Sequence, residues 1–452
     1  MIGGGYVGLV TAACFTRLGH AVQCIEVDPA RLSTLRAGSL PIREPGLEDL
    51  WQLGRSSGRL LVTNDYEEGV SEAEFVFLAV GTPPLPDGSP DLQQIDEATA
   101  MLARSLRDGA RPTVVLKSTV PLGTAERVKA TLADHGHYGI AVISNPEFLR
   151  EGQAILDFMR PARVVIGGSD HEARAEVAAL YQPLKRPIVH CSNRAAELIK
   201  YASNAFLCTK VSFINELASV CEAFDVDVSE VAQAIGMDAR IGHSYLEAGL
   251  GWGGSCLPKD VRALISTATG SGLTTPLLNA TIEVNERQPH LVADRLSGMI
   301  GGLDDQVVCV LGLSFKPNCD DVRDSPALAL IEVLLARGAC VQAYDPLAMR
   351  NAAAIAPDVT YCADPYEAAT GAAGIVLATN WSLFEHLDLE RLATVVARAI
   401  LFDARNALDP ARVVAAGFSY SGIGRQSPPA AADDPGLQRA IAPGRKGSHD
   451  AR

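Results

Sequence analysis

Short, largely apolar runs alternate with amphipathic helical stretches twice along this chain, once on each side of a long helical interval. In the first half the runs fall at 22–27, 75–80, 113–116, 141–144 and 163–166, and in the second at 307–311, 341–344, 375–378 and 399–402. Runs of this kind are strands buried on both faces, the habit of parallel sheets covered by helices. Between the two sets, residues 195–224 form one helical pattern without Pro or Gly, and further helical segments continue to about Gln288. The predicted fold is therefore α/β, with two Rossmann-like doubly wound sheets joined by a helical central region that contains one long helix. The expected units are 1–190, 191–290 and 291–425, and the Pro-, Ala- and Gly-rich segment 426–452 reads as a disordered tail.

The glycine loop at the start gives the first sheet a ligand. Gly3-Gly4-Gly5-Tyr6-Val7-Gly8 places Gly3, Gly5 and Gly8 in the three positions of GxGxxG, opening an apolar helix. Such a loop lets backbone approach a pyrophosphate at a helix N-terminus. A tight structural turn is the other reading of these glycines alone. The following strand ends on Glu26, 18 residues after Gly8, near the spacing expected of a ribose-binding acid. A carboxylate there accepts from both ribose hydroxyls and repels a 2′-phosphate, which predicts NAD rather than NADP. Asp28, followed by Pro29, reads instead as a helix N-cap.

Charge and cysteine usage narrow the setting. A formal net charge of -14 argues against broad binding to nucleic acid or anionic membranes. No apolar run reaches the roughly 18–20 residues of a membrane span, and the apolar start lacks the basic region of a secretion signal. Ten cysteines without paired spacing predict reduced thiols in the cytoplasm and no metal site.

One cysteine stands apart. Gly251-Trp252-Gly253-Gly254-Ser255-Cys256-Leu257-Pro258-Lys259-Asp260 sets a thiol among glycines and beside a lysine. Glycines admit a ligand to close range, and the neighbouring cation favours the thiolate. A buried cysteine in a glycine-rich turn is the bland reading. In the long helix Lys200 and Asn204 share one face, four residues apart in an apolar setting, which suits a catalytic floor or a solvated stripe equally well.

These segments resemble the UDP-glucose/GDP-mannose dehydrogenase family over about residues 1–425. The resemblance is carried by the glycine loop, Gly253-Gly254-Ser255-Cys256-Leu257-Pro258-Lys259-Asp260, Glu44-Pro45-Gly46-Leu47 and Val80-Gly81-Thr82-Pro83. Further matches are Lys117-Ser118-Thr119-Val120-Pro121, Ser144-Asn145-Pro146-Glu147-Phe148-Leu149-Arg150-Glu151-Gly152, Gly312-Leu313-Ser314-Phe315-Lys316-Pro317 and Asp403-Ala404-Arg405-Asn406. The resemblance implies oxidation of a sugar C6 alcohol to a carboxylate with two NAD, through a thioester on Cys256. It implies an oxyanion-stabilising role for Lys200 with Asn204, a water held by Asp260 and Thr119, and acid–base work by Glu147. The division of the base role between Asp260 and Glu147 stays open. Tyr6, Val7, Arg31, Thr82, Thr119, Glu151, Lys259 and Arg323 would add to the NAD site. Phe148, Leu149, Glu151, Tyr245, Gly253, Phe315, Lys316 and Arg405 would line the nucleotide-sugar pocket. Arg240 would reach the substrate of a second subunit, which implies a homodimer built on the long helix.

The run Asp238-Ala239-Arg240-Ile241-Gly242 resembles the UDP-glucose branch, so UDP-glucose is the expected substrate and GDP-mannose the alternative. A β-hydroxyacid dehydrogenase shares the fold class but needs no nucleophilic cysteine. Two departures from the family pattern stand out. Arg43 takes the place of an aromatic residue. The strand before the glycine loop is reduced to Met1 and Ile2, where about five or six residues are usual. From that shortness follows an expectation of low stability, weak NAD binding, a natural start upstream of Met1 and, as a further rival function, a crippled nucleotide-sugar binder.

Overall fold

A computed structural model describes residues 1–425, so the tail expected at 426–452 lies outside the described residues. The first half supplies β1 (Val22–Ile25), β2 (Leu60–Thr63), β3 (Phe75–Leu78), β4 (Thr113–Leu116), β5 (Val142–Ser144), β6 (Val164–Gly167) and β7 (Ile188–Cys191). Strands β1 and β2 pair in parallel, and β3 to β7 lie side by side in chain order. Ile2 joins the two groups by bridging Ile25 on one side and Leu78 on the other. Its N–H donates to Phe77 O at 2.7 Å, and its carbonyl accepts from the Ala79 N–H at 2.8 Å. The sheet is not parallel throughout: β5 meets β6 in the antiparallel sense through Ser144 and Gly167.

The second half supplies β8 (Val307–Leu311), β9 (Cys340–Tyr344), β10 (Thr360–Tyr361), β11 (Gly374–Leu377), β12 (Ile400–Asp403) and β13 (Ser419–Gly422). They form one parallel sheet in the order β10-β9-β8-β11-β12-β13. The expected strands are all present, with ends moved by no more than two residues, and four were not foreseen: β2, β7, β10 and β13. Each sheet has an apolar core on both faces, as a three-layer sandwich requires.

Between the sheets runs the 31-residue helix Asn193–Ala223, capped by Ser192, whose Oγ accepts from the Ala195 N–H at 3.2 Å. A second long helix, Pro276–Ile300, continues past Gln288 and through Pro289. An internal proline costs about 3 kcal/mol. Beyond it Val292, Leu296 and Ile300 are buried against the second sheet. At roughly 1.5–3 kcal/mol each, their burial offsets that cost. Among the described residues, no helix is long and apolar enough to cross a membrane.

Candidate active site

The glycine loop leaves Ile2 at the C-terminal edge of the first sheet, where open α/β sheets bind ligands. Its three motif glycines have different local reasons. Gly3 sits at φ 108°, and a Cβ there would fall 2.6 Å from Ala79 O, so the turn requires glycine. At Gly8 a Cβ would fall 2.0 Å from Gly3 O, so the helix could not pack on the loop. At Gly5, the N-cap of the helix Tyr6–Arg17, a Cβ would meet nothing within 4 Å. The structure leaves that space open for a group such as a pyrophosphate. Glu26 lies alongside, buried, with Oε2 accepting from the Gly4 N–H at 3.0 Å and Oε1 from the Asp28 N–H at 2.7 Å. These bonds fix the carboxylate beside the loop and leave it lone pairs for a diol. Asp28 caps the next helix, as expected. The cradle and the acid fit NAD.

Thr82 and Thr119 come together beyond the ends of β3 and β4, with Thr82 Oγ1 donating to Thr119 O at 2.8 Å. Three other residues assigned to this site lie differently. Arg31 is exposed on the helix Pro29–Arg36. The Tyr6 hydroxyl is committed to Glu44, while Val7 is half-buried in the first helical turn. Glu44 also accepts from the Gly152 N–H at 2.6 Å and the Ala154 N–H at 2.7 Å. It thereby ties the glycine-loop helix to the 147–154 segment, a role its sequence neighbours do not announce.

The cysteine site is assembled from three elements. Lys200 and Asn204 project from the long helix, both buried. Glu147 follows β5, and Cys256 is the N-cap of the helix Leu257–Gly270, which also carries Asp260. Lys200 Nζ lies 2.9 Å from Glu147 Oε1 in an ion pair of which both side chains are only 5% exposed. Burial alone would raise the Glu147 carboxyl, but Lys200, the Leu149 N–H and Lys117 together hold it below the usual range. For Lys200 burial works against the charge, and Glu147, Asp260 and Cys256 outweigh it, so the ammonium is held up. Asn204 Nδ2 donates to Asp260 Oδ2 at 2.6 Å, and Lys259 Nζ to Asp260 Oδ1 at 2.6 Å.

That last bond corrects the expectation of a thiolate favoured by Lys259. The ammonium is spent on Asp260. The Cys256 thiol, exposed at its surface, is pushed up by burial of its surroundings and by Glu147, against the opposing pull of Lys200. Its resting form is the thiol.

A third segment covers the cysteine loop from the second sheet. Lys316 Nζ donates to Glu151 O at 2.6 Å, and the Arg323 guanidinium sits 3.7 Å from Glu151 Oε1 while pairing with Asp321 at 2.6 Å. Glycines in the cysteine loop serve this contact. A Cβ on Gly253 would fall 2.1 Å from Asp324 O, and one on Gly254 2.6 Å from the Phe315 ring. At these two positions close approach is by protein, where the sequence suggested a ligand. Arg405 Nε donates to Ala378 O at 2.7 Å and Nη1 to Gly251 O at 2.9 Å, while Nη2 is buried with no partner. Burial brings this guanidinium down to about 10, and an orphaned donor of this kind suits an anionic or carbonyl-bearing ligand.

Phe148 lies under two cations, Arg163 at 4.0 Å and Lys200 at 5.4 Å from the ring centre. Leu149 donates its N–H to Glu147 Oε2 at 2.5 Å, and Tyr245 is half-buried at φ 66°. Arg240 stays apart, 88% exposed and bonded to Asp238. A cavity of about 600 Å³ adjoins the loop, walled by Trp252, Pro258, Arg323 and Pro326, but none of Cys256, Lys200 or Glu147 lines it.

Comparison with known proteins accords with this layout. The sequence matches the UDP-glucose/GDP-mannose dehydrogenase family in three consecutive stretches: its NAD binding domain over residues 1–185, its central domain over 194–287 and its UDP binding domain over 309–410. A UDP-glucose 6-dehydrogenase of Rhizobium meliloti is 43% identical over 433 residues, covering 94% of this chain and 99% of that protein. Another, of Bacillus subtilis, is 41% identical over 428 residues, covering 94% and 92%. The solved structure of a UDP-glucose dehydrogenase from the hyperthermophilic archaeon Pyrobaculum islandicum aligns with a TM-score of 0.86 at 41% identity, covering 94% of this chain and 96% of that one.

Proposed function

This chain belongs to the UDP-glucose/GDP-mannose dehydrogenase family and is an NAD-dependent nucleotide-sugar dehydrogenase, and we propose that it oxidises UDP-glucose to UDP-glucuronate. The observation that carries the proposal is the convergence of Cys256 with the Glu147–Lys200 and Asn204–Asp260 pairs, beside an open dinucleotide cradle. The 41–43% identity to UDP-glucose 6-dehydrogenases supports UDP-glucose over GDP-mannose.

Going from alcohol to acid takes two hydrides from one carbon. Bound NAD accepts a hydride in each of the two oxidations. In our reading, Asp260, with Thr119, receives the hydroxyl proton through a water in the first. Cys256 Sγ then adds to the aldehyde carbon and gives up its proton, so that the carbon stays bound between oxidations. Lys200 faces the developing oxyanion, with Asn204 holding Asp260 in register. Loss of the second hydride leaves a thioester. Water adds to its carbonyl carbon, Glu147 takes the water proton, the C–S bond breaks and Cys256 departs. Because the resting thiol is not acidified, its proton must pass to a carboxylate in the site, for which Glu147 and Asp260 are placed.

We assign the cofactor to residues 1–190, the dimer contact to 191–290 and the nucleotide sugar to 291–425, with Phe148, Leu149, Glu151, Tyr245, Phe315, Lys316 and Arg405 about the sugar nucleotide. The long helix supports a homodimer: it exposes Phe206, Phe213 and Val220 at seven-residue intervals, 64%, 53% and 48% accessible. Arg240, free of its own chain's site, is available to a partner subunit. We place the reaction in the cytoplasm, where ten unpaired cysteines stay reduced.

Absorbance of NADH with UDP-glucose as substrate tests the proposal. Two NADH per sugar are expected, with GDP-mannose oxidised poorly. One NADH per sugar and a free aldehyde would refute it.

A further inference from the structure

Lys117 follows β4 and lies inside the protein, bonded to Asn145, which stands two residues before Glu147. It is 5% exposed, and its Nζ donates to Asn145 Oδ1 at 3.1 Å and to the Tyr181 hydroxyl at 3.3 Å. Both acceptors are neutral. They are also bonded to each other, the Tyr181 hydroxyl donating to Asn145 Oδ1 at 2.5 Å. The Tyr181 ring is packed against Phe15 and Phe158, so this end of the network is fixed. A buried ammonium without a hydrogen-bonded carboxylate is costly, and burial here brings Lys117 down to about 8. The fold does not need this charge to satisfy its neighbours. The charged groups it faces are those of the active site, Glu147 and Lys200.

We infer that Lys117 is a positioning residue for the reaction, whose ammonium keeps Glu147 a carboxylate when Lys200 turns from it to the substrate oxygen. The inference rests on the reading of Glu147 as the base in thioester hydrolysis. In the resting site Glu147 faces Lys200 from the long helix, Lys117 from the end of β4, and Cys256 from the N-terminus of the Leu257–Gly270 helix. Lys200 is drawn to Asp260 as well. Once Lys200 serves the oxyanion, the buried carboxylate loses its 2.9 Å partner. Without a second cation it would take up a proton. A protonated Glu147 cannot accept the proton of the attacking water, and the thioester would persist. Lys117 cannot follow Lys200, because Asn145 and Tyr181 hold it in place. One lysine moves with the chemistry while the other keeps the base ionised.

The test is the pH dependence of Lys117→Met with UDP-glucose and NAD, by steady-state turnover and rapid mixing. The acid limb of kcat should move up by about one pH unit, so that turnover falls by up to about tenfold at pH values below the limb and little above it. The NADH burst that precedes hydrolysis should be retained, whereas a general loss of packing would lower both phases. The variant should fold, since Asn145 and Tyr181 remain paired and a buried charge is removed; its Tm should be no lower than the parent's. Tyr181→Phe removes one acceptor but leaves the Asn145 bond and the lysine itself, so its acid limb should move less than that of Lys117→Met. An unmoved limb in Lys117→Met overturns the inference, as does an equal shift in Tyr181→Phe. Glu147→Gln tests the underlying reading separately. If it keeps parental turnover, the base assignment falls; if it loses turnover while the Lys117→Met limb is unmoved, only the inference about Lys117 falls.

Discussion

The two sheets begin with the same device and put it to opposite uses. In the first, Gly3 follows Ile2 and donates to Ile25 O at 2.9 Å; in the second, Gly312 follows β8 and donates to Tyr344 O at 2.8 Å. Each loop is met by an acid at the end of the neighbouring strand, Glu26 after β1 and Asp345 after β9. Glu26 accepts two backbone bonds and keeps room for a ligand. Asp345 is fully buried and saturated, with Oδ2 accepting from the Leu313 and Ser314 N–H groups, the Ser314 hydroxyl and Trp381 Nε1, and Oδ1 from Leu347 and Ala348. The first loop opens directly into a helix, whose N-terminus is left for an anion. The second runs 14 residues from Gly312 before its helix starts at Pro326, and spends that length covering the cysteine loop. Topology alone therefore does not make a dinucleotide site. What decides it is whether the acid and the helix N-terminus are left unspent.

The largest effect belongs to the junction between the sheets. If one sheet serves the cofactor and the other the sugar, Cys256→Ala should separate them. UDP-glucuronate formation should fall by at least about three orders of magnitude, while NAD affinity, measured by calorimetry, should stay near the parent value. Parental turnover in this variant would remove the covalent route.

The two acids should then fail in different ways. Asp345→Asn turns an amide N–H₂ toward donors and should cost about 3–5 kcal/mol of stability, read as a lower denaturation midpoint, with the NAD/NADP ratio unchanged. Glu26→Gln turns an N–H₂ toward only one of two backbone donors and should cost less, about 1–2 kcal/mol, while narrowing the NAD preference in kcat/KM by about tenfold or more, because the 2′-phosphate no longer meets a like charge. If Asp345→Asn changed cofactor preference, or Glu26→Gln did not, the contrast between open and closed loops would be lost.

Much of this contrast was legible in the sequence on one side only. The glycine loop and Glu26 could be read because their spacing is short and local. So could the buried strands: residues 113–116 were placed with the ends they have. Of the strands not foreseen, β7 and β13 are edge elements with half-polar faces and β10 is two residues long, so no clean apolar run marks them, whereas β2 does carry Leu60-Leu61-Val62 and differs from the foreseen strands only in its edge position and half-exposed pattern. Cys256, Lys200, Glu147, Asn204 and Asp260, singled out from the sequence, lie together in the structure. The electrostatics of this site were not legible. Lys259 lies three residues after the cysteine but pairs with Asp260, and Lys117, distant in sequence, is among the charges that face Glu147. Glu44 was likewise opaque, because its partners at Gly152 and Ala154 lie over a hundred residues away. Charge partners set by tertiary packing leave no local pattern.

The smallest effect bears on the open loop itself. At Gly5 the backbone is extended, with φ -84° and ψ -173°, so alanine is allowed there without strain. No protein atom lies within 4 Å of the added Cβ. The fold should therefore not register Gly5→Ala, and the denaturation midpoint should be unchanged. A dinucleotide should register it, because the methyl occupies space that the pyrophosphate needs in order to reach the helix N-terminus. The expected change is a rise in KM for NAD of roughly three- to tenfold, about 0.7–1.4 kcal/mol, with kcat for bound substrate little altered. Gly8→Ala gives the opposite pairing: its Cβ would strike Gly3 O at 2.0 Å, so stability falls before binding can be read. If Gly5→Ala bound NAD as tightly as the parent, the space beside Gly5 would not be the pyrophosphate site. The first loop would then be open for some other reason than its cofactor.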